Sequence, residues 1–148
     1  MRFPILLPHI LFAFLFAQTP TDFANWMYGC DATRIRKFWE GAIDRRDPRL
    51  REHPMARRKG WADKALPISL HGDAVPVVAV GKAGSRSLDV CSWQSVLATE
   101  ASSLFVKLLA FSVFEASKAE STMDELWEVI LWSFEEMYEG VWPHTDHK

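Results

Sequence analysis

Cysteine is scarce in this 148-residue chain, and its two copies, Cys30 and Cys91, make neither a CxxC pair nor a disulfide framework. A small scaffold stapled by disulfides is therefore excluded, and the usage fits a reducing compartment. Phosphate-binding loops are also lacking. There is no GxxxxGK[ST] and no GxGxxG, and Lys82 sits in a Gly-Lys-Ala-Gly-Ser stretch without the upstream glycine that a P-loop needs. Nor is there a GxSxG elbow, so the alternation Ser69, His71, Asp73 does not by itself indicate a catalytic triad. Net charge is only −2, which gives no global electrostatic case for nucleic acid or a membrane surface. No apolar run reaches the roughly 18 residues that mark a membrane span.

What is present is a core. Apolar residues make up 49% of the chain and aromatic residues 13%, enough to bury the interior of one domain and to exclude wholesale disorder. Seven tryptophans and ten phenylalanines in so short a chain also predict marginal solubility. The small net charge hides a split. Residues 1–64 hold 12 Lys and Arg against 7 Asp and Glu, and residues 65–148 hold 5 against 12. The front is basic and the back acidic.

The amino terminus offers two readings. Phe3 to Thr21 carries no formal charge and includes Ile10–Ala17, ILFAFLFA, behind a single Arg2. A secretory signal peptide ending near Ala17 is one reading, although Pro4, Pro8 and His9 interrupt it and Leu15 stands where a small residue is preferred. A short buried helix is the favoured one, with Pro8 at a first helical position, Leu11, Phe14 and Leu15 at helical spacing, and Pro20 as the stop. Thr21 or Asp22 then caps a turn through Phe23, Trp26 and Met27 that Gly29 breaks. Asp31 opens an amphipathic helix carrying Ile35, Phe38, Trp39 and Ala42 on one face.

From Asp47 to Trp61 the chain reads as a linker or ordered loop, with two prolines and no sustained period. Around it lie Arg45, Arg46, Arg49, Arg51, Arg57, Arg58, Lys59 and Lys64, a cluster able to contact phosphates. A solvated loop explains these residues equally well.

Beyond residue 65 the period changes. Short β-branched runs predict a three-strand antiparallel meander at about 66–71, 77–80 and 88–93, with the second turn at Gly81–Ser85. Alternation in the last of these sets Leu88, Val90 and Ser92 against Asp89, Cys91 and Trp93. Leu104 to Phe114 is nearly all apolar and predicts a further, central strand. The final element is a long helix with Thr122 and Glu125 as a capping box. Leu126, Trp127, Ile130, Leu131, Phe134, Tyr138 and Val141 form its stripe, and Gly140 ends it. The fold class is thus α+β: a helical segment at 1–46, a basic linker or loop at 47–64, and an α/β core at 65–148.

The sharpest chemical candidate is His71-Gly72-Asp73 at the end of a β-rich run. A carboxylate beside glycine can hold a divalent cation while a phosphate approaches, and Asp89 on a neighbouring strand can join it if the register allows. The competing reading is a turn in which Asp73 bonds its own backbone. Cys91 has no local activating context and reads as a small core residue. His144, Asp146 and His147 lie in a terminal tail and read as solvated.

Three blocks carry a family resemblance: PHILFAFLFAQTP with Phe38-Trp39, the stretch from Leu66 to Ala98, and ELWEVILWSFEEMYEGVWP. Together they resemble uncharacterised multi-copy proteins of protist genomes that are similar to cut-and-paste transposases with a ribonuclease-H-like core. The resemblance implies that Asp73 matches the first metal-binding acid, with Mg²⁺ or Mn²⁺ as cofactor and DNA as partner through the basic segment, and it names no second acid. The later acids of such a core have no counterpart in this chain, which implies a truncated, mobile-element-derived protein, inactive alone, and otherwise a metal-dependent nuclease or transposase. An intracellular, nuclear location goes with that reading, and a secreted one with the signal peptide. A non-catalytic interaction module that self-associates through exposed apolar surface, and a small secreted α/β protein, are the alternatives.

Overall fold

The computed structural model describes residues 3–77, 86–99, 106–140, 143–144 and 147. Its elements in chain order are α1 (Pro8–Gln18), α2 (Pro20–Tyr28), α3 (Thr33–Asp44), the one-turn α4 (Pro48–Arg51), β1 (Ile68–Val77), β2 (Arg86–Ser95), β3 (Leu108–Phe114) and α5 (Thr122–Glu139). The class is α+β, with one three-stranded antiparallel sheet in the order β1-β2-β3. Contacts divide the chain into two compact units. The first holds Met1–Thr19, Leu70–Trp93 and Leu108–Lys148, and the second holds Pro20–Ser69 and Gln94–Lys107.

In the first unit, β2 and β3 pair antiparallel with Leu88 opposite Phe114 and Cys91 opposite Phe111. The register then slips between Cys91 and Ser92, so that Ser92 faces Leu109. Such a bulge breaks strict alternation. The extra residue is Ala110 in β3, and on β2 Cys91, Ser92 and Trp93 are all buried although alternation sets Ser92 on the opposite face. Helix α5 supplies the cover: Phe134 meets Trp93 edge-on at 6.0 Å and Trp127 meets Phe111 edge-on at 5.8 Å. Trp93, Ile130 and Ala110 have no exposed surface at all.

Helix α1 packs on α5 within this unit. Ahead of it, Ile5 bridges to Phe111 and the Leu6 amide donates to the Ala110 carbonyl at 2.8 Å, a stub along β3. Pro8 does open α1, as its fixed φ favours. The helix is not buried as expected, however. Leu15 and His9 face inward, while Phe14 is 55% exposed and Phe16 64%, because ILFAFLFA is apolar on every side and one helix can turn only part of its circumference to a neighbour. His9 fixes which part. Its backbone N–H donates to Ser133 Oγ at 3.2 Å, its Nδ1 lies 2.8 Å from the same oxygen, and its ring meets Trp132 edge-on at 5.2 Å.

The cap of helix α5 lies one residue earlier than expected, and Thr122 is already in the helix. Ser121 is the N-cap position and its Oγ donates to Glu125 Oε1 at 2.8 Å, while Thr122 Oγ1 accepts from the Ala119 amide. Gly140 ends the helix with φ of +70°, a left-handed position that glycine occupies without a Cβ clash. The apolar stripe is narrower than its sequence suggests, since Leu131 is 53% exposed and Ser133 takes the buried place beside His9.

The strands also differ from expectation. Residues read as a first strand, a Gly72–Asp73 turn and the start of a second are all one ten-residue strand, β1. A Gly-Asp pair permits a turn but does not compel one when an equally long strand, β2, lies beside it in the sheet. The rest of the expected second strand, 78–80, and the turn with Lys82 lie outside the described residues. Leu108–Phe114 is a strand as predicted, but β2 is the central one.

In the second unit, α2 buries Phe23 and Met27, and α3 buries Ile35 and Ala42. Gly29 has φ of +64° between the two helices, and a side chain there would collide with Arg34 and Thr99. Asp31 precedes α3 and accepts from the Thr33 amide and hydroxyl at 3.0 and 2.7 Å. The basic stretch is an ordered loop. Asp47 caps α4 by accepting from the Arg49 amide, and 3₁₀ turns follow at Pro54–Arg57 and Trp61–Asp63. Trp39 ties that loop to α3, donating to the Ala65 carbonyl at 2.7 Å and meeting Trp61 at 5.2 Å. Among the described residues, no helix is long and apolar enough to cross a membrane.

Two predictions test this packing. Ile130→Ala should cost about 2–5 kcal/mol in urea unfolding, and Leu131→Ala, one residue on but exposed, less than about 0.5 kcal/mol. His9 is held below the ordinary imidazole pKa by burial, with Glu136 pulling it partly back. Its contribution is therefore complete above the unfolded value of about 6.5 and declines as pH falls through that value towards the lower folded one. The unfolding midpoint should drop between pH 7.5 and 5, and His9→Gln should flatten that drop.

Candidate functional site

The sequence singled out Asp73 and Asp89, and the fold does bring them to one place. Both line an open cleft of about 220 Å³ in the first unit, together with Gly72, Ala74, Val90, Cys91, Phe111, Met123 and Trp127. Its floor comes from β1 and β2, and Met123 and Trp127 reach it from the first turns of α5. One wall is thus apolar and aromatic.

The two carboxylates are not equivalent. Asp73 lies in the middle of β1 and is exposed, so it is neither a strand-end residue nor a turn residue closing on its own backbone. Asp89 is largely buried and forms an ion pair and hydrogen bond with Lys118 Nζ, which is equally covered. Lys118 follows the 3₁₀ turn Glu115–Ser117 that leaves β3. At the same end of the sheet, Glu115 Oε2 accepts from the Ser87 amide at 3.1 Å and its hydroxyl at 2.9 Å, which lowers the pKa of its carboxyl. Sequence reasoning missed both pairings. Each joins residues 28 or 29 apart, and only the β2–β3 register makes them neighbours.

As a cation site the donor set falls short. Mg²⁺ asks for a near-octahedral shell of oxygens, and Mn²⁺ also prefers oxygen donors. Here an ammonium already occupies Asp89. The nearby thiol, Cys91, is a soft donor kept protonated by burial, which raises its pKa. Among the described residues, no three His, Cys, Asp or Glu side chains are grouped to hold a metal. The residues present do not fit Mg²⁺ or Mn²⁺. Cys91 takes the core position expected of it.

The basic residues belong to the second unit. Arg45, Arg46, Arg49, Arg51, Arg57, Arg58, Lys59 and Lys64 are all exposed. Arg49 is engaged by Asp47, its Nε and an amino nitrogen donating at 3.0 and 2.8 Å, which holds the Asp47 carboxyl down at about 2. Asp63 is held by Arg36 through two bonds of 2.6 Å. In the tail, His144 is exposed and His147 rests 5.9 Å from Trp132, while Asp146 lies outside the described residues.

Comparison with protein-family models, curated proteins and solved structures found no match to this chain.

The Lys118–Asp89 pair gives this region a direct check. Lys118→Met should cost roughly 1–3 kcal/mol in chemical denaturation, because it leaves a covered carboxylate without its cation, and adding Asp89→Asn should recover part of that loss. Equal stability of the single variant and the parent would show that the pair is solvated.

Proposed function

We propose that this chain is a non-catalytic protein-interaction module whose docking element is the outer edge of β1, which no described strand pairs with. The observation that carries this reading is that Leu70 to Val77, eight successive residues of an edge strand, are all exposed. An edge strand offers a row of backbone N–H and C=O groups that an incoming extended segment can pair with, and alternate side chains give that pairing its specificity. Leu70, Val75 and Val77 add apolar surface to this edge. The chemistry beside it points the same way, since Asp89 is neutralised by Lys118 and, among the described residues, Asp73 has no second free carboxylate in the cleft.

A second reading draws on Asp73 and Asp89 sharing that cleft. It takes the chain as an incomplete transposase-like core, mobile-element-derived, nuclear and inactive alone, with its exposed cations touching DNA backbone. One titration separates the two readings. On the interaction reading, Mg²⁺ or Mn²⁺ added to the full chain should give no saturable shift of the Asp73 and Asp89 amide signals. A saturable shift that Asp73→Asn abolishes would replace this reading with the second one.

A further inference from the structure

We infer that the strand this edge accepts is β1 of a second copy, paired antiparallel about a two-fold axis through Gly72. The inference rests on the interaction-module reading and names its partner.

Consider what a symmetric pairing allows. In an antiparallel ladder, residues directly opposite share a face of the sheet. A two-fold axis normal to the sheet therefore passes a residue of one strand and the same residue of its partner. Along the exposed middle of β1 that leaves His71, Gly72 or Asp73 at the axis. Centring on His71 sets imidazole against imidazole, and centring on Asp73 sets carboxylate against carboxylate, which is repulsive. Centring on Gly72 places His71 opposite Asp73 of the other copy, and Asp73 opposite its His71. An imidazole, able to donate a hydrogen bond, then meets a carboxylate, able to accept one, twice in one self-complementary, closed interface.

Proline fixes the phase of the backbone. Pro76 has no N–H, so it is tolerated where that position faces away from β2. Residues two and four before it, Ala74 and Gly72, share its phase and turn their N–H and C=O outward, as does Leu70. In the Gly72-centred register these are the groups that meet: Gly72 with Gly72, and Leu70 with Ala74 on either side. His71 and Asp73 then form the non-hydrogen-bonded pairs, in which side chains lie closest. Among the described residues, no heavy atom stands within 4 Å of where a Gly72 Cβ would be, so none of them requires a glycine there. Glycine inside a strand weakens it and often marks the close approach of another backbone. At the axis, two such residues face each other.

The test uses the full chain with Cys30→Ser. Sedimentation should show a concentration-dependent dimer. His71→Asp should weaken it about tenfold by facing carboxylates at both pairs, and His71→Asp combined with Asp73→His should restore it. Mixing a His71→Cys chain with an Asp73→Cys chain should give an interchain disulfide faster than either alone, since like positions are diagonal, roughly 7–8 Å apart, at the limit of a disulfide. A dimer that cross-links like positions best, or one indifferent to the charge swap, overturns the register. A chain monomeric throughout overturns self-pairing. If a Thr-Val strand peptide then slows hydrogen exchange in β1, the interaction reading survives without this partner; if it does not, both readings fall.

Discussion

Everything in the first unit depends on α5 lying across the β2–β3 ladder. A two- or three-stranded antiparallel sheet cannot hold itself together in water unless one face is covered. Here Phe111 and Trp93 are the covered residues, and Trp127 and Phe134 are the cover. The spacing of seven residues between those last two is two helical turns, so both rings leave α5 on the same side. The register slip between Cys91 and Ser92 adjusts the sheet to the helix. It leaves Ala110 of β3 as the extra residue, fully buried, at the expense of one regular step in the ladder. Helix α1 is secondary to this arrangement, joined through the Ser133 hydroxyl that His9 engages twice.

Much of the fold was legible because its signals are local. Pro8 at the start of α1, Gly140 at the end of α5 and the stripe Leu126, Ile130, Phe134 depend only on nearby residues, and each is found as expected. The failures come where a distant partner overrides a local preference. Gly72–Asp73 is a good turn dipeptide, but β2 lies alongside and draws it into a strand. Leu131 fits the helical period, yet polar Ser133 holds the buried place because His9 needs an acceptor there. For α1 the sequence is uninformative in a different way. An all-apolar segment has no preferred face, so only its tertiary neighbour decides that Leu15 is covered and Phe14 and Phe16 are not.

The candidate site shows the same division. That Asp73 and Asp89 meet in one cleft follows from their being on strands that become neighbours, which the sequence could suggest. That Lys118 holds Asp89 could not be read from it, because a lysine after a 3₁₀ turn looks like any surface cation. The pairing changes the meaning of the cleft. Two free carboxylates attract a divalent cation, whereas one carboxylate and one ion pair leave a single net negative charge beside an aromatic wall.

Attention thus moves from the cleft to the strand that bounds it. Backbone pairing at a sheet edge is blind to sequence, so an edge left open binds many strands weakly unless its side chains discriminate. Proteins commonly guard such edges with charge and proline, and β1 carries His71, Asp73 and Pro76. A guard built from like charges would repel every partner, including a second copy. On the proposed pairing, an imidazole and a carboxylate two residues apart, on either side of a glycine, match their own image. In that pairing, the residues that make β1 a poor edge for general aggregation would also select one partner, and selectivity of that kind separates a docking element from an accident of exposure.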